Sequence, residues 1–240
     1  MSDAILVIIF LVVIFISLIC VSAVNTRETR ARLIAKKIEE LKRKTTDLEE
    51  ISIALESLTG NAQIAMEITK EEKETLEHII QLDPKNQSFQ LHLNKTTERL
   101  NTLSNDTATQ PLNRQFSNDA AMAKAQYCLN EGARIIQRRT TSDLIETDRQ
   151  KKFINDMIWA RMMISIASLV GQGYKASDKN NQSKAVAYYK KALDIAHKTT
   201  TPDEKKPELI QELEELTQNK RTTLSEHLMP EGQISNSQSP

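Results

Sequence analysis

The chain has 240 residues, 32 of them basic and 32 acidic, and aromatic side chains make up only 4%. No sizeable basic face with interleaved aromatics occurs, so nucleic acid is excluded as a partner class. Gly and Pro are few while Leu, Ile, Ala, Glu, Lys and Gln abound, which predicts an all-α fold, and two cysteines, Cys20 and Cys128, make no disulfide framework.

Ala4 to Val24 is an unbroken apolar run whose only polar side chains are Ser17, Cys20 and Ser22. At about 1.5 Å per residue such a helix covers the roughly 30 Å hydrocarbon core of a bilayer, so residues 1–25 are expected to form a single transmembrane anchor. A cleaved signal would carry a basic start and a shorter core, whereas Met1, Ser2 and Asp3 precede this run. Ile19 stands where a lipid-modified Cys20 would need a small residue, and a buried core helix apolar on every face would need apolar surroundings that this polar chain lacks. Arg27, Arg30, Arg32, Lys36 and Lys37 follow the anchor closely. By the positive-inside bias the N-terminus faces out and the rest is cytoplasmic, at the cell inner (plasma) membrane. The same basic residues would meet anionic lipid headgroups, at about 1 kcal/mol each.

Residues 26–104 read as an amphipathic or coiled-coil helix followed by a helical hairpin. Ile34, Ile38, Leu41, Leu48, Ile51, Leu55 and Leu58 step by three and four, with Thr45 in the gap. The stripe suits either a seam between two copies or packing within a bundle, and Ile38 and Leu48 are its candidate partner-binding residues. Gly60 and Asn61 read as a stop and a new N-cap. A second helix spans Ala62 to Leu82, with a break expected near Thr69 because Thr69 and Glu72 have capping-box spacing. Glu71, Glu72, Glu74 and Glu77 read as a solvated face, with Glu74 and His78 as an exposed ion pair. Asp83 to Asn86 form a turn, and Phe89, Leu91, Leu93, Leu100 and Leu103 carry a third helix. The polar stretch 105–118 is the expected linker. Asn94 and Asn105 have glycosylation spacing, which is without effect in a cytoplasmic segment.

The region 119–222 begins with a helix from Asp119 to about Arg138, then a turn at Thr140 to Ser142 and a capping box of Asp143 and Glu146. Phe153 to Val170 is apolar on most faces and is expected to be the central buried helix, closed by Gly171 and Gly173. Asp156 and Arg161 argue against a second membrane span there. A loop over Ser177 to Ser183 then leads into a helix bearing Ala185, Tyr188, Tyr189 and Ala192. A last helix is expected with Thr201 as N-cap, Pro202 at its first position and Glu204 completing a capping box; Leu209, Ile210, Leu213 and Leu216 form its apolar face. Residues 223–240 read as a disordered polar tail.

The stretch from Gly171 to Ala192 resembles a tetratricopeptide repeat, in which a small residue and an aromatic on one helix pack against an Ala, aromatic, Ala series on the next. Gly171 and Tyr174 fit the first pair but leave the loop two residues long. Gly173 restores the spacing and puts Ala176 in the aromatic's place. Ala185, Tyr189 and Ala192 fit the second series, and Gly60 with Pro84 is a fainter echo. The resemblance covers one imperfect repeat and implies a TPR-like helical hairpin at the C-terminal end, with a groove near Tyr174, Tyr188 and Tyr189 as a second candidate partner surface.

Catalytic, cofactor and metal motifs are absent from the pattern. Gly171-x-Gly173-x-x-Ala176 lacks the strand that a dinucleotide turn requires, and His78, His92, His197 and His227 lie far apart in sequence. No enzyme is expected. The pattern points to a single-pass membrane-anchored helical adaptor or scaffold, working through an unidentified protein partner at the cytoplasmic face of the membrane. Two alternatives stand beside it: a self-associating coiled-coil protein of the cell envelope or division machinery, and a small-molecule-binding protein or enzyme with a pocket between helices.

Overall fold

The computed structural model describes residues 2–105, 111–116 and 118–230, and within 2–24 the side chains of Phe10, Phe15 and Ser22 alone. These residues form seven helices and no strand: α1 (Ser2–Thr59), α2 (Ala62–Leu82), α3 (Gln87–Ser104), α4 (Asp119–Thr141), α5 (Thr147–Asp178), α6 (Gln182–Lys198) and α7 (Lys206–Thr217). Helix α1 runs 58 residues without interruption. Phe10 and Phe15 on it are each 66% exposed, and every residue from 25 to 37 is exposed. Burial begins at Ile38. The expected anchor rests on side chains that lie outside the described ones.

All connections but the one between α3 and α4 are short and fold the helices back on one another. Gly60 sits in the left-handed region at φ +67, and Asn61 then caps α2 by accepting the Gln63 N–H at 3.0 Å. Asn86, Asn118 and Asn181 cap α3, α4 and α6 in the same way. Three helices are followed by a non-glycine residue in left-handed backbone: Asp143, Asn180 and Asn219 stand at φ 56, 54 and 56 after α4, α5 and α7. The residue that follows each donates its N–H back into the helix, Leu144 to Arg139, Asn181 to Ala176 and Lys220 to Glu215.

Two apolar cores share α5. Its first half sends Phe153, Met157, Ala160 and Ile164 against Leu48, Ile51, Leu55 and Leu58 of α1, Ile64 and Ile68 of α2, and Leu129 and Ile136 of α4. Its second half sends Met163, Ile166 and Val170 against Ala185, Tyr189 and Ala192 of α6 and Leu209, Leu213 and Leu216 of α7. Among the described residues α5 is the helix long and apolar enough to cross a membrane by length and composition. Most of its apolar window is buried inside the protein, as expected of the central core helix.

Several local expectations are corrected. Helix α2 passes through Thr69 unbroken, because the Thr69 hydroxyl donates to the Ala65 carbonyl at 2.9 Å and lies 2.7 Å from the Ser52 hydroxyl instead of capping a new helix. Gly171 and Gly173 do not close α5. They are small because neighbours press on them: a Cβ at Gly173 would stand 2.2 Å from the Tyr189 ring, and one at Gly171 would meet the Gln115 amide. Asp143 closes α4 and does not open α5, whose first turn follows Glu146 with no side-chain cap. Thr201 and Asp203 form turns before α7, which begins at Lys206 with Pro207 in its first turn. The segment after Thr223 is not a free polar tail as far as Pro230, since Leu224, Leu228 and Met229 are buried in the α5–α7 core; residues 231–240 lie outside the described ones. Of the expected linker, residues 106–110 and 117 lie outside the description. In residues 111–116, the Asn113 N–H donates to the Ser57 carbonyl, buried Arg114 donates to the Leu228 carbonyl, and the Phe116 N–H donates to the Ser168 hydroxyl.

Candidate functional site

The residues singled out in the sequence fall in three places. Arg27, Arg30, Arg32, Lys36 and Lys37 line the exposed length of α1, where Arg32 pairs with Glu28 at 2.6 Å and Lys37 with Glu40 at 3.1 Å. Ile38 is half-buried against Leu41, Leu76 and Ile79, and Leu48 is buried in the first core. The stripe from Leu41 to Leu58 is therefore covered by the chain's own helices, and Ile34 is its exposed remainder.

The tyrosines gather where α5, α6 and the 224–229 segment meet. Tyr189 is buried against Gly173, with its ring 6.2 Å from that of Tyr174 at 61°. The Tyr174 hydroxyl accepts the Leu224 N–H at 2.8 Å, and burial pushes its ionisation up to about 12, so it stays a neutral hydrogen-bonding group. Glu212 holds the same segment by accepting the Ser225 N–H at 2.8 Å and the Ser225 hydroxyl. Tyr188 is half-buried beside this core. The expected groove is thus filled by the chain's own Leu224, Leu228 and Met229.

The acidic face of α2 is the site that sequence reasoning misread. Glu67, Glu71 and Glu72 are buried, not solvated. Arg139 of α4 lies against the first two, with Nε 3.7 Å from Glu67 and Nη1 3.8 Å from Glu71, while both Nη atoms hold Glu74. Glu74 thus pairs with Arg139 and not with His78. Glu71 also receives Lys44 at 2.8 Å and Arg138 at 2.5 Å. Burial opposes its charging, but the bond from Lys44 and the fields of Lys44, Arg138 and Arg139 outweigh it and hold its carboxyl below the usual range. The network pins α2 to α1 and α4.

One helical step around α2 the balance is different. Glu72 accepts a bond from the Thr96 hydroxyl at 2.8 Å through Oε1, and His92 Nε2 of α3 lies 3.2 Å from the same oxygen. Glu49 of α1 approaches His92 at 3.8 Å. The other Glu72 oxygen, Oε2, is buried without a hydrogen-bond partner. Burial raises the Glu72 carboxyl above its ordinary range, with Glu49 adding to the effect. Residues 49, 72 and 92 come from three helices with no motif spacing, and Glu72 sits within the charged run Lys70 to Glu74, so no local sequence signal marks them.

A polar cleft of about 390 Å³ opens beside the α1–α2 turn, lined among others by Asn61, Arg114, Lys152, Asp156 and Lys205. Asn61 donates to Asp156 across it at 2.7 Å. Cys128 is buried, and burial pushes its thiol up, so it behaves as a small core residue.

No protein-family model, curated protein or solved structure matches the chain.

Proposed function

We propose that the protein is a single-pass, membrane-anchored helical adaptor with its N-terminus outside and its helical body in the cytoplasm, and that it works by binding another protein and not by catalysis. The observation that carries this reading is the form of α1: one uninterrupted helix whose apolar first part continues into an exposed basic stretch and enters the folded body at Ile38. The fourteen residue steps from Val24 to Ile38 span about 21 Å at 1.5 Å each, so the body would stand clear of the headgroups while held near them. Confinement of that kind raises the effective concentration of a binding surface toward other membrane-bound proteins. The Gly173–Tyr189 packing of α5 on α6 supports the TPR-like hairpin of this reading, with Tyr188 as its accessible residue.

Self-association through the α1 stripe draws less support, because α2 and α4 of the same chain already cover Leu48, Ile51 and Leu55. Photoreactive replacement of Tyr188 in the full-length chain in cells tests the adaptor. One recurrent protein captured at that position is the expected result. Capture of the chain itself alone would move the reading to a self-associating scaffold, and capture of nothing would remove the adaptor.

A further inference from the structure

We infer that Glu49, Glu72 and His92 form a binding site for one divalent transition-metal ion of the zinc class, which ties α1, α2 and α3 together. The three ligand atoms lie within 4.8 Å of one another. A tetrahedral ion with bonds of about 2.0–2.2 Å holds its ligand atoms roughly 3.3–3.6 Å apart, and the two separations from His92 Nε2, 3.2 Å to Glu72 and 3.8 Å to Glu49, bracket that range. Small side-chain rotations close the difference.

The second observation is independent of this geometry. Glu72 is 2% exposed at its side chain and keeps one oxygen buried with no hydrogen-bond partner, a costly state for a carboxylate. Its nearby compensation is incomplete, since Arg99 on the same helix as His92 is held by Glu56 at 2.9 Å. A cation bound by the Glu72 carboxylate, whose Oε1 faces His92, offsets the charge that the Thr96 hydroxyl alone leaves buried. The Thr96 hydroxyl then serves as an outer partner that orients the Glu72 carboxylate.

Ligand chemistry selects the ion. One imidazole with two carboxylates suits zinc and its first-row neighbours better than calcium or magnesium, which favour sets made wholly of oxygen. Glu49 is half-exposed, which leaves water access to a fourth position. Because the ligands come from three separate helices, an unfolded chain offers no preformed site, and binding stabilises the folded state.

The test uses the full-length chain without an affinity tag, in detergent micelles and stripped by a chelator, titrated with zinc chloride by calorimetry. The expected result is one zinc ion per chain and a raised melting temperature. Glu49→Gln, Glu72→Gln and His92→Ala should each weaken binding at least tenfold, and His78→Ala should not. Glu49→Gln keeps the test decisive against misfolding, because a half-exposed residue can change without moving the metal-free melting temperature. Cobalt(II) in place of zinc should give the visible absorption of a four-coordinate ion. The absence of stoichiometric binding, or binding that survives any one of the three ligand substitutions unweakened, overturns the site.

Discussion

Arg139 of α4 grips Glu74 of α2 at two points, Nη1 to Oε2 at 2.9 Å and Nη2 to Oε1 at 3.1 Å, while its Nε faces the buried Glu67. Truncating it would remove the cation that Glu67 and Glu71 share, leaving Glu67 with Lys70 and Glu71 with Lys44 and Arg138. Arg139→Ala is expected to cost up to about 3 kcal/mol, the low end for breaking a buried pair from one side, because Glu67 and Glu71 each keep another cation. Arg139→Met combined with Glu67→Met should cost markedly less than Arg139→Ala, because no charge is stranded at that contact. Denaturant unfolding of the two variants in detergent checks the order, and equal losses would contradict it.

The two neighbouring glutamates on α2 should respond to pH in opposite senses. Glu71 has a lowered carboxyl, so its contribution is present above the unfolded value near 4.5 and is lost as pH falls through its folded value. Glu72 has a raised carboxyl, so its contribution is full below the unfolded value and is lost as pH rises through its folded value. In the presence of a chelator at pH 7, Glu71→Gln should therefore melt below the parent chain and Glu72→Gln at or above it. Both differences should shrink toward strong acid. Melting temperatures taken from pH 3 to 8 read this directly, and a Glu72→Gln variant that melts lower at pH 7 would refute the sign.

Two glycines on α5, two positions apart, make a contrasting pair. A methyl at Gly173 would collide with the buried Tyr189 ring at 2.2 Å, whereas at Gly171 it meets the far end of the flexible Gln115 side chain. Gly173→Ala should cost about 1–3 kcal/mol by overpacking. Gly171→Ala should be close to neutral, because the helix gains about 0.5–1 kcal/mol when glycine becomes alanine. Thermal unfolding of both variants side by side would show whether the ring or the helix propensity decides.

The orientation of the proposed anchor can be read chemically. In intact cells a membrane-impermeant thiol reagent should label Ser2→Cys and should reach Lys95→Cys only after permeabilisation. Replacing Arg27, Arg30, Arg32, Lys36 and Lys37 together with Glu removes the flanking bias and should yield a mixed or inverted population. Labelling of Lys95→Cys in intact cells expressing the unaltered flank would overturn the N-out arrangement.

The helices were legible because their signals are local. Asn61 as a cap after Gly60, the turn at Asp83 to Asn86, and the apolar spacing of α5 are each written within a few residues. What stayed hidden depends on partners distant in the chain. Glu71 reads as solvated until Arg138, 67 residues later, folds against it. Gly173 reads as a helix stop until the Tyr189 ring is seen to need its missing side chain. Thr69 and Glu72 share capping-box spacing, yet one hydroxyl turns to Ser52 and the carboxylate to Thr96 and His92. The Glu49, Glu72 and His92 group was invisible for the same reason, since its spacing belongs to three helices at once.

The unbroken passage of α1 from its apolar start into the folded body makes the helix a torsional shaft. Each residue advances the helix by about 100°, so the face that the first part presents is locked in phase with the orientation of α2 to α7. If the first part of α1 is the proposed anchor, inserting one residue between Asn25 and Lys37 would swing the whole body about a quarter of a turn relative to any neighbour in the membrane. Inserting seven would return it nearly to phase while lifting it about 10 Å. Under the proposed anchoring, the length of the exposed stretch would set not only how far the body stands from the bilayer but which side of it a membrane-bound partner meets.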